Sequence, residues 1–206
     1  MTARKHAIRR AYDDVSADYH AQRSEEPAAV AHIDDLAKRL PTDARVLDAG
    51  CGSGVPGAKR LVETHEVIGV DFSIEQVRRA RENVPRARSV QGDMSSLPFA
   101  TNTFGGLCAL FSLLHVPLDE HPRVAAEFSR VLRPGGMALL TVGNEEWKGN
   151  NPNWLDTGVE MRWSFPDTET SVRHLTEVGF EVLERDTVDD EFGGSFPFLL
   201  VEKEEG

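Results

Sequence analysis

Acidic residues close three successive apolar runs. Asp48 follows Arg45-Val46-Leu47, Asp71 follows Glu66–Val70, and Asp93 follows Ala87–Gln91. Asp48 also opens a glycine-rich turn, Gly50-Cys51-Gly52-Ser53-Gly54, where glycine lets the backbone turn sharply and pass close to a ligand. A carboxylate before such a turn suits the ammonium of a bound amino acid, directly or through water. A carboxylate at Asp71 can accept hydrogen bonds from a ribose diol, and one at Asp93 can meet an adenine amino group. The three together predict a cationic nucleoside without phosphate, a description that a sulfonium nucleoside meets.

A competing reading starts from the same turn. Gly52, Gly54 and Gly57 spell a nested GxGxxG with Asp71 downstream, the pattern of a nicotinamide-dependent oxidoreductase. Asp48 argues against it, because a carboxylate beside a pyrophosphate in a poorly solvated cleft is unfavourable. Pro56 argues against it too, since it removes an N–H from the helix start where a pyrophosphate needs donors. A non-catalytic module that senses the nucleoside is the third reading, and the acceptor side shows no visible block to support it.

A sulfonium donates its methyl by in-line displacement, so acceptor positioning supplies most of the acceleration. A base is needed only where the acceptor must lose a proton. His115, just past the fourth strand, is the candidate base; a packed histidine held by backbone hydrogen bonds is the alternative. His121 and His32 fall on predicted helices and read as surface residues. Trp147, Trp154, Met161, Trp163 and Phe165 cluster in one long insertion, where aromatic walls suit an apolar, aromatic or cationic acceptor. Packing of the insertion against the sheet edge is the other reading. Tyr12 and Tyr19 share a helix face and either close over the ligands as a lid or staple the helix to the core.

The elements that must position these groups alternate strand and helix. Helices are expected at 4–20 and 26–40, 56–64, 73–83 and 119–132, with Ser73 and Gln76 forming a capping-box pattern. Strands are expected at 45–49, 66–71, 87–91, 106–111 and 137–142. This succession implies a parallel sheet covered by helices on both faces. Two strands without an intervening helix, 180–188 and 196–202, predict an antiparallel hairpin. Residues 144–166 lack periodicity and read as a long loop on the substrate side.

The 206 residues suffice for a single domain, 1–206, with residues 1–40 as an N-terminal helical lid. No apolar run approaches a membrane span and no secretory signal is visible, so a soluble, cytoplasmic chain is expected. The formal net charge of −11 repels phosphate backbones, which makes nucleic acid a poor partner. The run Arg78, Arg79, Arg81 reads as a solvated helix face. Cys51 and Cys108 belong to no metal-ligand cluster and predict buried thiols without a disulfide or metal site. A small-molecule acceptor and a monomer or homodimer complete the expectation.

Five segments resemble, in order, the motifs of class I S-adenosylmethionine methyltransferases: VLDAGCGSG at the first strand, VIGVDFS at 67–73, GDMSSLPF at 92–99, FGGLCALFSLLHVP at 104–117 and RVLRPGGMALLTV at 130–142. The segments GVPGAKRL, LLHVPLDEH and MRWSFPD resemble the small-molecule "type 11" group of that family. The resemblance implies a Rossmann-like doubly wound seven-stranded sheet with its last strand antiparallel, and S-adenosylmethionine as cofactor. Asp48, Gly50, Gly52 and Gly54 would line the methionine portion. Asp71 would hold the ribose, Phe72 would stack near the adenine, and Asp93 and Met94 would flank it. Phe111 and Ser112 would lie under the methionine tail. Cys51, Ser73, Gln76, Gly92 and Tyr19 complete the expected cofactor set; Tyr12, His115, Trp147, Trp154, Met161 and Trp163 form the expected acceptor set. Two departures stand out: Gly105 replaces the aspartate that usually follows Phe104, and Phe165 occupies the place of a histidine after the Trp-Ser pair.

Overall fold

The computed structural model describes residues 3–22 and 27–205. Its strands are β1 (Arg45–Ala49), β2 (Glu66–Asp71), β3 (Arg88–Gln91), β4 (Phe104–Ala109), β5 (Leu132–Thr141), β6 (Trp147–Trp154), β7 (Val159–Phe165), β8 (Phe180–Asp189) and β9 (Ser195–Lys203). The helices are α1 (Ala3–Gln22), α2 (Pro27–Arg39), α3 (Gly57–Leu61), α4 (Ile74–Asn83), α5 (His121–Val131) and α6 (Thr168–Thr176). The expected second helix opened at residue 26, which lies outside the described residues. No helix among the described residues is long and apolar enough to cross a membrane.

Seven strands form one sheet in the order β3-β2-β1-β4-β5-β9-β8. The first five run parallel, and β9 enters antiparallel to both β5 and β8. Both the sheet and its antiparallel last strand agree with the expectation. Strand periodicity sends alternate residues to opposite faces. Leu47, Leu140 and Leu199 pack on one face with Phe128 of α5 and Leu175 of α6. Val46, Leu139 and Leu200 pack on the other with Ile33 and Leu36 of α2 and Leu61 of α3. The order reverses between β1 and β4, which opens a crevice beyond the carboxyl ends of these strands.

Several boundaries differ from the sequence reading. The fourth strand ends at Ala109 rather than Phe111, because Phe111 turns into the left-handed region at φ 51°. The expected helix 119–132 splits into a 3₁₀ turn at Leu118–Glu120 and α5, with Pro122 in the first helical turn. Ser73 caps α4 by accepting the Gln76 N–H at 3.2 Å. The reciprocal half of the capping box is missing: the Ser73 N–H donates to Asp71 Oδ1, and the Gln76 side chain accepts from Ser16 Oγ instead.

The largest correction concerns residues 144–166. They form an ordered antiparallel hairpin of β6 and β7, not an irregular loop. Its turn uses left-handed backbone at Leu155, Asp156 and Gly158, and its register slips between Asn151 and Trp154, where Pro152 has no N–H to give the ladder. Asn, Gly and Pro gave β6 little strand signal, and its apolar face is supplied by tertiary packing. Trp154 and Met161 are buried against Ile8, Ala11 and Val15 of α1, forming a third core separate from the two on the sheet.

Candidate functional site

The first cavity, about 690 Å³ with its open mouth, lies beyond the ends of β1, β2 and β4. Its floor is the glycine turn. Gly50, at φ 77°, presses so closely on Ser112 that an added Cβ would stand 2.3 Å from the serine Cβ. Gly52, at φ 52°, has nothing within 4 Å of where its Cβ would be, which leaves open room above the turn. Asp71 ends β2 at the cavity wall. Its Oδ2 accepts the Gly52 N–H and its Oδ1 the Ser73 N–H, each at 2.9 Å. Burial raises this carboxyl to about 6 against the pull of those two amides. Each oxygen retains acceptor capacity, so the pair can receive vicinal hydroxyls.

Gly50, Gly52, Asp71, Phe72, Gln76, Gly92, Asp93, Met94, Phe111, Ser112 and Tyr19 all line this cavity, together with Tyr12 and His115. Four members of the expected cofactor set do not. Asp48 sits beneath the turn, where a Cβ on Gly57 would fall 2.6 Å from its Oδ2. Burial raises it to about 7 against the pull of the Ala58 amide at the start of α3, and its Oδ2 has no hydrogen-bond partner among the described residues. The carboxylate expected to meet an ammonium is thus buried and is not among the residues that line this cavity. The three acidic groups do not crown one cleft; Asp71 and Asp93 do. Cys51 is buried against Gly69, Gly54 packs on Ala80 and Val84 of α4, and Ser73 is used as the cap. Cys51 and Cys108 are both buried and unbridged.

The second cavity, about 1180 Å³ with its open mouth, shares Tyr12, Tyr19, Phe111 and His115 with the first. Its outer wall is the β6–β7 hairpin with Trp147, Trp154 and Trp163, Phe192 in the β8–β9 connection and Phe196 at the start of β9. Glu145 and Asp190 also line it, and among the described residues no lysine or arginine does. Met161 does not reach it: fully buried, it holds the hairpin onto α1. Phe165 lines this cavity from the end of β7 and packs against Phe196.

His115 stands at the shared wall. Its Nδ1 faces the Arg162 carbonyl at 3.2 Å, which places the ring proton there. Nε2 is thereby left with its lone pair, and the Tyr12 hydroxyl donates to it at 2.7 Å. Burial lowers this imidazole to about 4, against the help of the Arg162 carbonyl, so it is neutral at ordinary pH. The backbone bond agrees with the packed-histidine reading, and the Nε2 lone pair is engaged by the Tyr12 hydroxyl. His121 is not a surface residue. It is buried, bonded to the Val116 carbonyl and lowered to about 4 by desolvation. His32 is half-buried and pairs with Asp186 of β8.

Sequence reasoning missed Lys5, whose buried ammonium reaches the first cavity, and Phe192 at the second. The lysine gave no signal among the many charges of α1. Phe192 did, as a lone aromatic in an acidic, glycine-containing turn.

The cavity fits a phosphate-free nucleoside. Gly52 leaves a backbone cradle, Asp71 offers two acceptor oxygens, and Gln76 presents a buried Nε2 donor with no hydrogen-bond partner. The Asp48 carboxyl, 2.6 Å from where a Gly57 Cβ would stand, lies beside the α3 N-terminus where a pyrophosphate would seek donors.

Residues 46–136 match the methyltransferase domain family. The chain is 31% identical over 182 residues to 24-methylenesterol C-methyltransferase 2 of Oryza sativa subsp. japonica, covering 78% of this chain and 48% of that one. It is 38% identical over 125 residues to 27-O-demethylrifamycin SV methyltransferase of Amycolatopsis mediterranei (strain S699), covering 56% and 45%. The chain thus spans about half the length of these curated relatives. The crystal structure of an S-adenosylmethionine-dependent methyltransferase from Methanosarcina mazei superposes with a TM-score of 0.72 at 22% identity, covering 84% of this chain and 98% of that one. Residues 46–136 thus carry a methyltransferase domain, set in a fold shared with an S-adenosylmethionine-dependent methyltransferase.

Proposed function

We propose that the chain transfers a methyl group from S-adenosylmethionine to a small-molecule acceptor held in the aromatic cavity. The observation that carries this reading is the shared wall: the cavity above the glycine turn and an aromatic one meet at Tyr12 and His115. In this reading Asp71 and Gln76 hold the ribose side, Phe72 and Met94 contact the base, and Gly50, Gly52 and Ser112 border the methionine portion. The bound cofactor supplies an electrophilic methyl on a sulfonium.

The chain's own residues supply position, dryness and a proton path. Tyr12, Tyr19 and Trp154 contact one another by ring edges and faces, closing α1 and the hairpin over the junction. Water exclusion favours a step in which the sulfonium charge disperses. Where the acceptor atom is a hydroxyl oxygen, its proton becomes strongly acidic as the methyl is gained. That proton passes to the Tyr12 oxygen while the Tyr12 proton passes to His115 Nε2. A neutral imidazole with a depressed pKa suffices, because the protonated acceptor is a far stronger acid than the imidazolium.

The lining also limits the acceptor. Glu145 and Asp190 line the second cavity, so a phosphate or carboxylate would meet like charge there. The acceptor is therefore neutral or cationic, facing indole and phenyl walls. Relatives named for methylating a methylenesterol and a demethylrifamycin support a small organic acceptor.

Calorimetric titration with S-adenosylmethionine, S-adenosylhomocysteine and NAD tests the reading. Binding of the first two at one site, with none of NAD, is expected, followed by label transfer to a neutral or cationic metabolite. NAD binding without adenosylmethionine binding would replace it with the oxidoreductase reading. Cofactor binding without transfer to any acceptor would leave a sensing module.

A further inference from the structure

Lys5 is an unusual residue to find inside. It lies near the start of α1, is 5% exposed, and its ammonium lines the first cavity. The Nζ contacts Asp93 Oδ1 at 3.1 Å, Asp93 Oδ2 at 2.9 Å and Ser95 Oγ at 2.7 Å, and forms an ion pair with Glu120. A lone buried ammonium is costly, so such a group persists where its protons are all satisfied. Here two carboxylates and a hydroxyl take them.

The two Asp93 oxygens are not equivalent. Oδ1 accepts from Lys5, from the Ser95 N–H at 2.9 Å and from the Ser95 hydroxyl at 2.9 Å, which saturates it. Among the described residues Oδ2 accepts only from Lys5, leaving one lone-pair direction toward the cavity wall. The cluster thus locks the carboxylate in one rotation and offers one acceptor to the ligand. Burial alone would raise this carboxyl, but the Lys5 and Ser95 bonds outweigh it and hold it below its usual range.

We propose that Lys5 is a positioning residue for base recognition: it fixes Asp93 as a charged acceptor aimed at the exocyclic amino group of the cofactor's adenine, so that α1 helps the cavity choose an amino-bearing purine over an oxo-bearing one. This rests on the cofactor reading above. A charged carboxylate attracts an amino group and repels a purine carbonyl, so the ratio of the two affinities reads the state of Asp93.

The test is titration of the full chain with S-adenosylhomocysteine and with its deaminated counterpart, S-inosylhomocysteine. The wild type is expected to prefer the adenosyl ligand by roughly 10–100-fold, the range of one charged hydrogen bond made or lost. Lys5→Met removes the ammonium and keeps the stem, and is expected to collapse that ratio to within about threefold. Lys5→Met with Glu120→Gln keeps the net charge of the cluster and guards against loss of folding, read by thermal unfolding. It is expected to show the same collapsed ratio. A parallel loss of both affinities, with the ratio intact in either variant, would show that Lys5 merely holds α1 and would overturn the proposal. A wild type that binds neither ligand would instead contradict the cofactor reading itself.

Discussion

The Tyr12 hydroxyl donates to His115 Nε2 across 2.7 Å, and this bond ties the middle of α1 to the exit of β4 at the wall between the two cavities. The two side chains act as one unit, so their losses are not additive. His115→Asn is expected to lower kcat by roughly 10²–10⁴-fold, the usual worth of a positioned base. Tyr12→Phe is expected to cost a similar factor, and the double variant little more. Steady-state rates with the cofactor saturated check this; fully multiplicative losses would separate the two residues.

Asp71 sets a pH dependence. Its carboxyl is raised to about 6 by burial, and the ionised form is the better acceptor for two hydroxyls. Cofactor affinity should therefore hold above pH 6 and fall as pH drops through that value. Asp71→Ala is expected to cost roughly 1–3 kcal/mol of binding and to flatten the profile. Titration of S-adenosylhomocysteine between pH 5 and 8 decides it. Asp48, raised to about 7, lies behind the cavity, so Asp48→Asn should leave the slope near pH 6 in place.

Gly52→Ala separates the cradle from the fold. At φ 52° an alanine costs about 1–2 kcal/mol of stability, with no clash, because the space above is open. That same methyl would occupy the cavity floor, so cofactor affinity should fall by more than about tenfold. Thermal unfolding and calorimetry on the same variant distinguish the two costs. Unchanged affinity would remove Gly52 from the cofactor site.

The hairpin divides packing from binding. Met161 is fully buried under it, so Met161→Ala is expected to destabilise by roughly 2–5 kcal/mol. Trp147 is 51% exposed, so Trp147→Ala should change stability by no more than about 0.5 kcal/mol. Its effect should appear in the acceptor KM. Chemical denaturation beside acceptor kinetics checks both.

Much of this was legible in the sequence because local signals agreed with the fold. The apolar runs ending in Asp71 and the Gly50–Gly54 turn announce strand, turn and helix, and the sheet forms on that plan. Asp48 shows where such reading stops: its place in the motif is visible, but the direction of its side chain depends on α3 returning over it. The 144–166 hairpin was hidden for a related reason. Its strands carry Asn, Gly and Pro, and only the face of α1 makes Trp154 and Met161 an apolar side. His121 looked like a surface residue because one helix turn says nothing about what the β7 end covers. Lys5 was invisible, since its partners Asp93 and Glu120 lie 88 and 115 positions away.

A crystal structure of the chain with S-adenosylhomocysteine tests the central claim most directly. It should show the ribose hydroxyls within hydrogen-bond distance of Asp71, the purine between Phe72 and Met94, and the sulfur facing Tyr12 and His115. Ligand density elsewhere, or a ribose turned away from Asp71, would contradict the account.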